Sequence, residues 1–106
     1  PSEALKIRAI ASANGINCIP HVWGTQLNLA AGTHFLASAY HEPGRAIEKQ
    51  LMLEYDRTEN PLRDNLYDVV VNIENGNAIV PTTPGLGVSI NLSAMKQFDI
   101  NKTETR

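Results

Sequence analysis

His21 and Glu54 each lie near the end of a short apolar run, where a chain of alternating helices and strands can place a reactive side chain. His21 comes at the end of a short apolar run that starts at residue 16, just before a helix start, and Glu54 repeats that position in the run 50–55. The ends of parallel strands open onto the ligand crevice of α/β proteins, so an imidazole there could serve as a catalytic base. A lone histidine after a strand is more often a structural or surface residue. The pattern alone leaves both interpretations open.

The other reactive residue types favour packing over chemistry. Cys18 points to the opposite, helix-covered face of the predicted strand from His21, because side chains alternate along a strand. His34 falls inside an apolar helical pattern, where packing or a bond to a neighbouring backbone is the better interpretation. The loop 41–45 begins with a histidine followed by a glutamate, but it lacks the second histidine of a helical zinc motif.

Composition excludes several classes of function. The 106 residues suit one small domain or a piece of a larger one, with 42% hydrophobic and 19% charged residues and a net charge of -2. Scattered lysines and arginines predict no nucleic-acid partner, and no apolar run approaches the roughly 20 residues that span a bilayer. The single cysteine excludes an internal disulfide and fits a reducing compartment. We therefore expect a cytoplasmic protein without nucleic-acid or membrane partners.

The first half of the chain alternates helices with short apolar runs. A helix is predicted with Ser2 as its N-cap and Gly15 as its C-terminal stop, followed by a strand over 16–22. A second helix is predicted from Thr25 to about Tyr40, apolar around most of its circumference and therefore buried. A second short strand is predicted over 50–55.

The pattern changes after residue 64. Short runs over 68–74 and 77–80 flank Asn75-Gly76, the strongest short signal for a β-hairpin. Gly85-Leu86-Gly87 is predicted to be a turn and not a phosphate-binding loop, because no strand-to-helix switch surrounds it. This tail is therefore predicted to be antiparallel.

The order helix, strand, helix, strand, with a polar side chain near each strand end, is the local pattern of a (β/α)₈ barrel. A closed barrel needs about 250 residues, so this chain holds at most two of its strands. Two parallel strands alone would expose backbone edges and an apolar face, which favours pairing with other segments.

These residues together resemble a known family. The resemblance covers nearly the whole chain and is carried by Ser2-Glu3-Ala4-Leu5-Lys6-Ile7, Pro20-His21-Val22-Trp23-Gly24-Thr25, the run 53–64, Ile73-Glu74-Asn75-Gly76, Val80-Pro81 and Pro84-Gly85-Leu86-Gly87-Val88. The chain resembles the C-terminal part of the mandelate racemase and muconate lactonizing enzyme family, within the enolase superfamily. The resemblance implies an α/β fold in which residues 1–55 supply the last two strands and helices of a (β/α)₇β barrel. Residues 56–106 would complete the α+β capping domain.

The resemblance also implies a chemistry, in which a proton is removed from the carbon next to a carboxylate and the enediolate is held by Mg²⁺. His21 matches the base at the end of the seventh strand, which an aspartate of the sixth strand orients. Glu54 matches the acid at the end of the eighth strand, where it would donate a hydrogen bond to the substrate carboxylate and would need a raised pKa. The alternative for Glu54 is a surface glutamate, and Trp23 would either wall the substrate pocket or pack.

The ligands of Mg²⁺ belong to strands that this sequence does not include, so no metal ligand is assigned in this chain. The isolated chain is predicted to be inactive and to need the remaining barrel segments, from the same precursor or another chain. Dehydration of a sugar acid is the first choice of function, with a racemase, epimerase or cycloisomerase as the alternative. The complete enzyme is expected to be a homo-oligomer. A non-catalytic interaction module is the remaining possibility.

Overall fold

The computed structural model describes residues 2–39 and 51–98. Helices α1 (Ser2–Ala13) and α2 (Gln26–Ala37) occupy the first part, and the second part consists of short elements. In chain order these are α3 (Pro61–Asp64), β1 (Tyr67–Val69), β2 (Ile73–Glu74), β3 (Asn77–Ala78), β4 (Ser89–Ile90), α4 (Leu92–Met95) and a 3₁₀ turn (Lys96–Phe98). The arrangement is a mixture of helix and strand, as predicted for the fold class.

Helix α1 ends as the sequence predicts. Gly15 adopts a positive φ of 70°, its N–H donates to Ser12 O over 3.0 Å, and the N–H of Ile16 donates to Ala11 O over 2.8 Å. This is the pair of bonds of a Schellman motif, which satisfies carbonyls that have no partner within the helix. The helix begins at Ser2 itself, so the predicted N-cap residue is already helical.

Helix α2 carries the core. Its buried residues are Gln26, Leu29, Ala30, Gly32, Thr33 and Leu36, which confirms the predicted buried helix; Tyr40 lies outside the described residues. Leu29 and Ala30 pack with Val22 and Val71 in one apolar cluster. Residues from both predicted segments, 1–55 and 56–106, therefore share a core.

The structure does not form the two parallel strands predicted over 16–22 and 50–55. Residues 16–22 and 51–55 have no strand assignment, and Gln50 lies outside the described residues. A strand requires a neighbouring backbone that accepts and donates its ladder of hydrogen bonds. In the described part of the chain, no neighbouring backbone forms such a ladder with residues 16–22 or 51–55. An apolar pattern is therefore not sufficient to make these residues strands.

The tail is antiparallel, as predicted. Strands β2 and β3 pair through Ile73 with Ala78 and form a hairpin at Asn75-Gly76, whose φ angles of 50° and 78° fit a type I′ turn. Strand β1 pairs with β4, and the register shifts between Tyr67 and Val69. The predicted run 68–74 is thus divided between two separate two-stranded sheets.

Two long-range hydrogen bonds join the tail to α2. The N–H of Val71 donates to Oε1 of Gln26 over 3.3 Å, and Nε2 of His34 lies 3.3 Å from the carbonyl oxygen of Leu86 in the predicted glycine turn. His34 thus bonds a backbone group, in agreement with the packing interpretation. Within residues 2–39 and 51–98, no helix is long and apolar enough to cross a membrane.

Candidate active site

His21 and Glu54, the two residues singled out from the sequence, lie in contact. Nδ1 of His21 is 2.8 Å from Oε2 of Glu54, and the same oxygen accepts a hydrogen bond from the backbone N–H of Val22 over 2.8 Å. The side chains are 77% and 44% exposed. One carboxylate oxygen therefore holds both the imidazole and the backbone of the next residue.

The pKa of Glu54 is lowered from its ordinary value, first by the backbone N–H of Val22 and then by the hydrogen bond with His21. Hydrogen bonds to a carboxylate favour its charged form. The raised pKa expected from the sequence concerns the complete site, with substrate and acidic metal ligands beside Glu54, and it stays a prediction. In the described residues the two N–H donors outweigh desolvation and the charge of Asp56, so the pKa is lowered.

The pairing gives His21 a defined orientation. A carboxylate accepts but does not donate, so Glu54 selects the imidazole tautomer that carries its proton on Nδ1. The second nitrogen, Nε2, then carries the lone pair, and it has no hydrogen-bond partner among the described residues. An imidazole held in this way can accept a proton at Nε2 while the carboxylate stabilises the resulting cation.

Backbone contacts fix the segment that bears His21. Nδ2 of Asn28 lies 3.5 Å from His21 O and 3.3 Å from Trp23 O, and Nδ2 of Asn60 donates to Gly24 O over 3.0 Å. Trp23 is 64% exposed. It follows His21 by two positions, and most of the residue is accessible to solvent.

A cavity in the described part of the chain lies away from His21 and Glu54. It has a volume of about 540 Å³, is bounded by α1, α2 and the run 18–22, and is lined mainly by apolar side chains. His34 and Cys18 border it, whereas His21 and Glu54 do not. The cavity is thus a gap between apolar surfaces and is separate from the His21–Glu54 pair.

The described residues do not fit a magnesium site. No group of three or more His, Cys, Asp or Glu side chains comes together in residues 2–39 and 51–98. Asp56 and Asp64 both contact the guanidinium of Arg63, at 2.9 Å and 2.8 Å. Mg²⁺ needs oxygen ligands that are free of a competing cation.

Asn28, Asn60 and Arg63 were not singled out from the sequence. Asn60 precedes Pro61, and an Asn followed by Pro is a recognisable helix start, since Pro suits the first helical position. That signal predicts the cap of α3. It contains no information on the contact with Gly24, which is 36 positions away.

Comparison with known proteins agrees with the resemblance. The enolase C-terminal domain-like family profile matches residues 1–94. The chain is 37% identical over 97 residues to a D-galactarolactone cycloisomerase of Agrobacterium fabrum, covering 92% of this chain and 26% of that protein. It is 30% identical to an arabinonate dehydratase of Saccharolobus solfataricus, over 92% and 24% of the two chains.

A solved structure is also similar. The 3,6-anhydro-D-galactonate cycloisomerase from Zobellia galactanivorans superposes with a TM-score of 0.70 at 33% identity, covering 88% of this chain and 24% of that one. The chain therefore spans about a quarter of the length of the relatives it matches. With the family profile matched over 94 of its residues, the chain belongs to the enolase C-terminal domain-like family.

Proposed function

We propose that this chain supplies the catalytic base of an enzyme that removes the proton next to the carboxylate of a sugar acid or its lactone. The observation that carries the proposal is the contact of His21 with Glu54, which orients an exposed imidazole with Nε2 free of described partners. Family membership supports it, because the relatives are named as a cycloisomerase and a dehydratase of such compounds.

In this mechanism Nε2 of His21 takes the α-proton and becomes cationic. Glu54 accepts the Nδ1–H bond throughout, so it stabilises the imidazolium and holds the ring in one orientation. The same histidine then returns the proton, either to carbon or to a leaving oxygen. Glu54 acts here on the base and not on the substrate carboxylate.

The chain performs this task as one part of a larger barrel. We propose that residues 1–55 form the last barrel strands and helices, and that residues 56–106 pack with the capping domain. Mg²⁺, when bound, would stabilise the enediolate, and its ligands would come from the other barrel segments. The exposed apolar residues of α1, Leu5, Ile7 and Ile10, fit a chain that packs against further segments, since they are 44%, 59% and 68% exposed.

Two reactions follow from the shared proton-abstraction step. Cycloisomerisation is favoured by the relatives at 37% and 33% identity. Dehydration, the first choice from the sequence, is favoured by the relative at 30% identity.

The enzyme assembled from this chain and the segments that complete the barrel should distinguish these reactions. It is incubated in D₂O with D-galactarolactone and, separately, with arabinonate, and the products are followed by NMR. We expect one of them to lose its α-proton and its β-oxygen substituent and to give an α-keto acid that carries one deuterium from the solvent at the β-carbon. Failure of both compounds to react or to exchange, with the assembled enzyme folded and supplied with Mg²⁺, would contradict the proposal.

A further inference from the structure

The turn after His21 is held by a residue from a distant part of the chain. Nδ2 of Asn60 donates to Gly24 O over 3.0 Å, while Oδ1 of the same side chain accepts from the N–H of Arg63 over 3.2 Å and so caps α3. Gly24 adopts a φ of 135°, a conformation that L side chains rarely adopt. One amide thus connects the start of α3 to an unusual turn three residues after the candidate base.

Arg63 makes the α3 side of this connection rigid. Its side chain is 10% exposed and donates to the carbonyl oxygens of Asp56 and Thr58 and to the carboxylates of Asp56 and Asp64. Its Nε and Nη2 atoms engage the two oxygens of Asp64 at 2.8 Å and 3.0 Å. A planar guanidinium held in this fork geometry has little freedom left, so the loop 56–64 forms a fixed support.

The His21 side chain depends on such support because it is 77% exposed. Its ring is held through Glu54, and its backbone through Asn28 and the N–H of Val22. The Asn60 contact fixes the carbonyl of Gly24, the point where the chain turns toward α2. Release of that carbonyl would let the segment 21–24 shift relative to Glu54.

From this geometry we infer that Asn60, held by the Arg63 cluster, is a positioning residue for the base His21. The inference rests on the proposed function for its effect on catalysis, but the restraint on residues 21–24 is a property of the chain itself. Displacement of a reacting group by about 1 Å can cost on the order of 100-fold in rate. Loss of the contact should therefore slow the proton transfer more than it weakens binding of the substrate.

The test replaces Asn60 while keeping its capping function. Asn60→Ser retains a hydroxyl that can accept from Arg63 N but is too short to reach Gly24, and Asn60→Asp retains the size but cannot donate. Asn91→Ser is the matched control, because Asn91 also caps a helix, accepting from Ala94 N, and also uses its amide for a second contact, with Asp68.

Two measurements are made on each variant. Amide hydrogen exchange at Val22 is measured in the assembled enzyme. In the same enzyme, kcat and KM are measured for D-galactarolactone or arabinonate, whichever the wild type converts. We expect both Asn60 variants to exchange faster at Val22 and to lose about 10- to 100-fold in kcat, with KM changed less than about threefold. Asn91→Ser should match the wild type in both.

Unchanged exchange at Val22 in both Asn60 variants would overturn the inference, whatever the activity. Faster exchange with wild-type kcat would also overturn it, because Asn60 would then be only a structural contact. If the wild type converts neither compound and exchanges no α-proton, the proposed function fails, and the exchange measurement still decides whether Asn60 restrains the segment 21–24.

Discussion

Oε2 of Glu54 lies 2.8 Å from Nδ1 of His21, although 33 positions separate the two residues in the chain. The contact unites the two side chains that the sequence marks as candidates for acid and base chemistry. A carboxylate bonded to Nδ1 orients the imidazole, so in the proposed mechanism Glu54 acts on the imidazole of His21 and not on a substrate.

His21→Asn should abolish proton abstraction. Asparagine keeps polar atoms at the site but cannot accept a proton at neutral pH, and loss of a general base costs about 10² to 10⁴ in rate. The measurement is α-proton exchange of bound substrate in D₂O by the assembled enzyme. Because the His21 side chain is 77% exposed, the melting temperature should stay at the wild-type value. Exchange at the wild-type rate in a folded His21→Asn enzyme would show that His21 is not the base.

Glu54→Gln tests whether the negative charge matters. Glutamine still offers an oxygen to the N–H of Val22 but leaves a cationic imidazole uncompensated, so kcat should fall by about 10- to 100-fold, the range for groups that orient a functional side chain. Glu54→Asp keeps the charge on a shorter stem and serves as the control. An equal loss in both variants would indicate that length, and not charge, is decisive.

The protonation of Glu54 gives a pH dependence with a definite sign. Its folded pKa is lowered from 4.5, so the contribution of the carboxylate to stability is fully present above 4.5 and is lost as the pH falls through the lower folded value. The amide resonance of Val22 should report this titration below pH 4.5 in the wild type. A midpoint above 4.5 would contradict the lowered pKa, and Glu54→Gln should show no titration of this amide.

The Arg63 cluster should also weaken in acid. The pKa of Asp64 is lowered by its hydrogen bond with Arg63, and that of Asp56 chiefly by bonds from Thr58. Their stabilising contribution is therefore complete above pH 3.8, the ordinary value, and is lost as the pH falls through the lower folded values. Arg63→Met should lower the melting temperature at neutral pH, and its difference from the wild type should shrink below pH 3.8. A difference independent of pH would contradict this account.

Gly32 leaves no room for a side chain. A Cβ at this position would lie 2.6 Å from Cγ2 of Val22 and 3.3 Å from Cδ1 of Leu53. Overpacking lowers the free energy of unfolding by about 1–3 kcal/mol, whereas the higher helix propensity of alanine raises it by about 1 kcal/mol. Since Val22 is β-branched and adjusts little, Gly32→Ala should lower the free energy of unfolding, by up to about 2 kcal/mol in denaturant unfolding.

A double-mutant cycle isolates this contact. Val22→Ala alone should cost about 2 kcal/mol, because it removes buried apolar surface. Together with Gly32→Ala it should cost less than the sum of the two, by about 0.5–3 kcal/mol, since the new methyl group occupies the space that valine vacates. Strictly additive effects would show that residues 22 and 32 are not in contact.

Local features of the fold were predictable and long-range ones were not. The stop at Gly15 and the turn at Asn75-Gly76 follow from the left-handed conformations that these residue types favour, and both are confirmed. The strands over 16–22 and 50–55 were predicted from apolar runs, but a strand depends on a partner that the run itself does not encode. For the same reason the two N–H donors that lower the pKa of Glu54 in the described residues could not be predicted from its position in an apolar run.

In the candidate site, too, local features were predictable from the sequence and long-range contacts were not. The positions of His21 and Glu54 near the ends of apolar runs indicate two reactive side chains, and the structure brings these together. Asn60 and Arg63 look like an ordinary helix start, because capping is local to residues 60–63. Their link to Gly24 arises only when two distant segments meet.

The separation between bonded residues sets an order of events during synthesis. His21 and α2 leave the ribosome before Glu54, Asn60 and Leu86, whose contacts with this region close loops of 33, 36 and 52 positions. Loop closure costs only about 0.6 kcal/mol for each doubling of loop length. The delay in forming these contacts is therefore set by the synthesis of the later residues and not by a steep entropic barrier. Helices α1 and α2 can form first from local bonds, whereas the His21 ring acquires its orientation only once Glu54 has emerged.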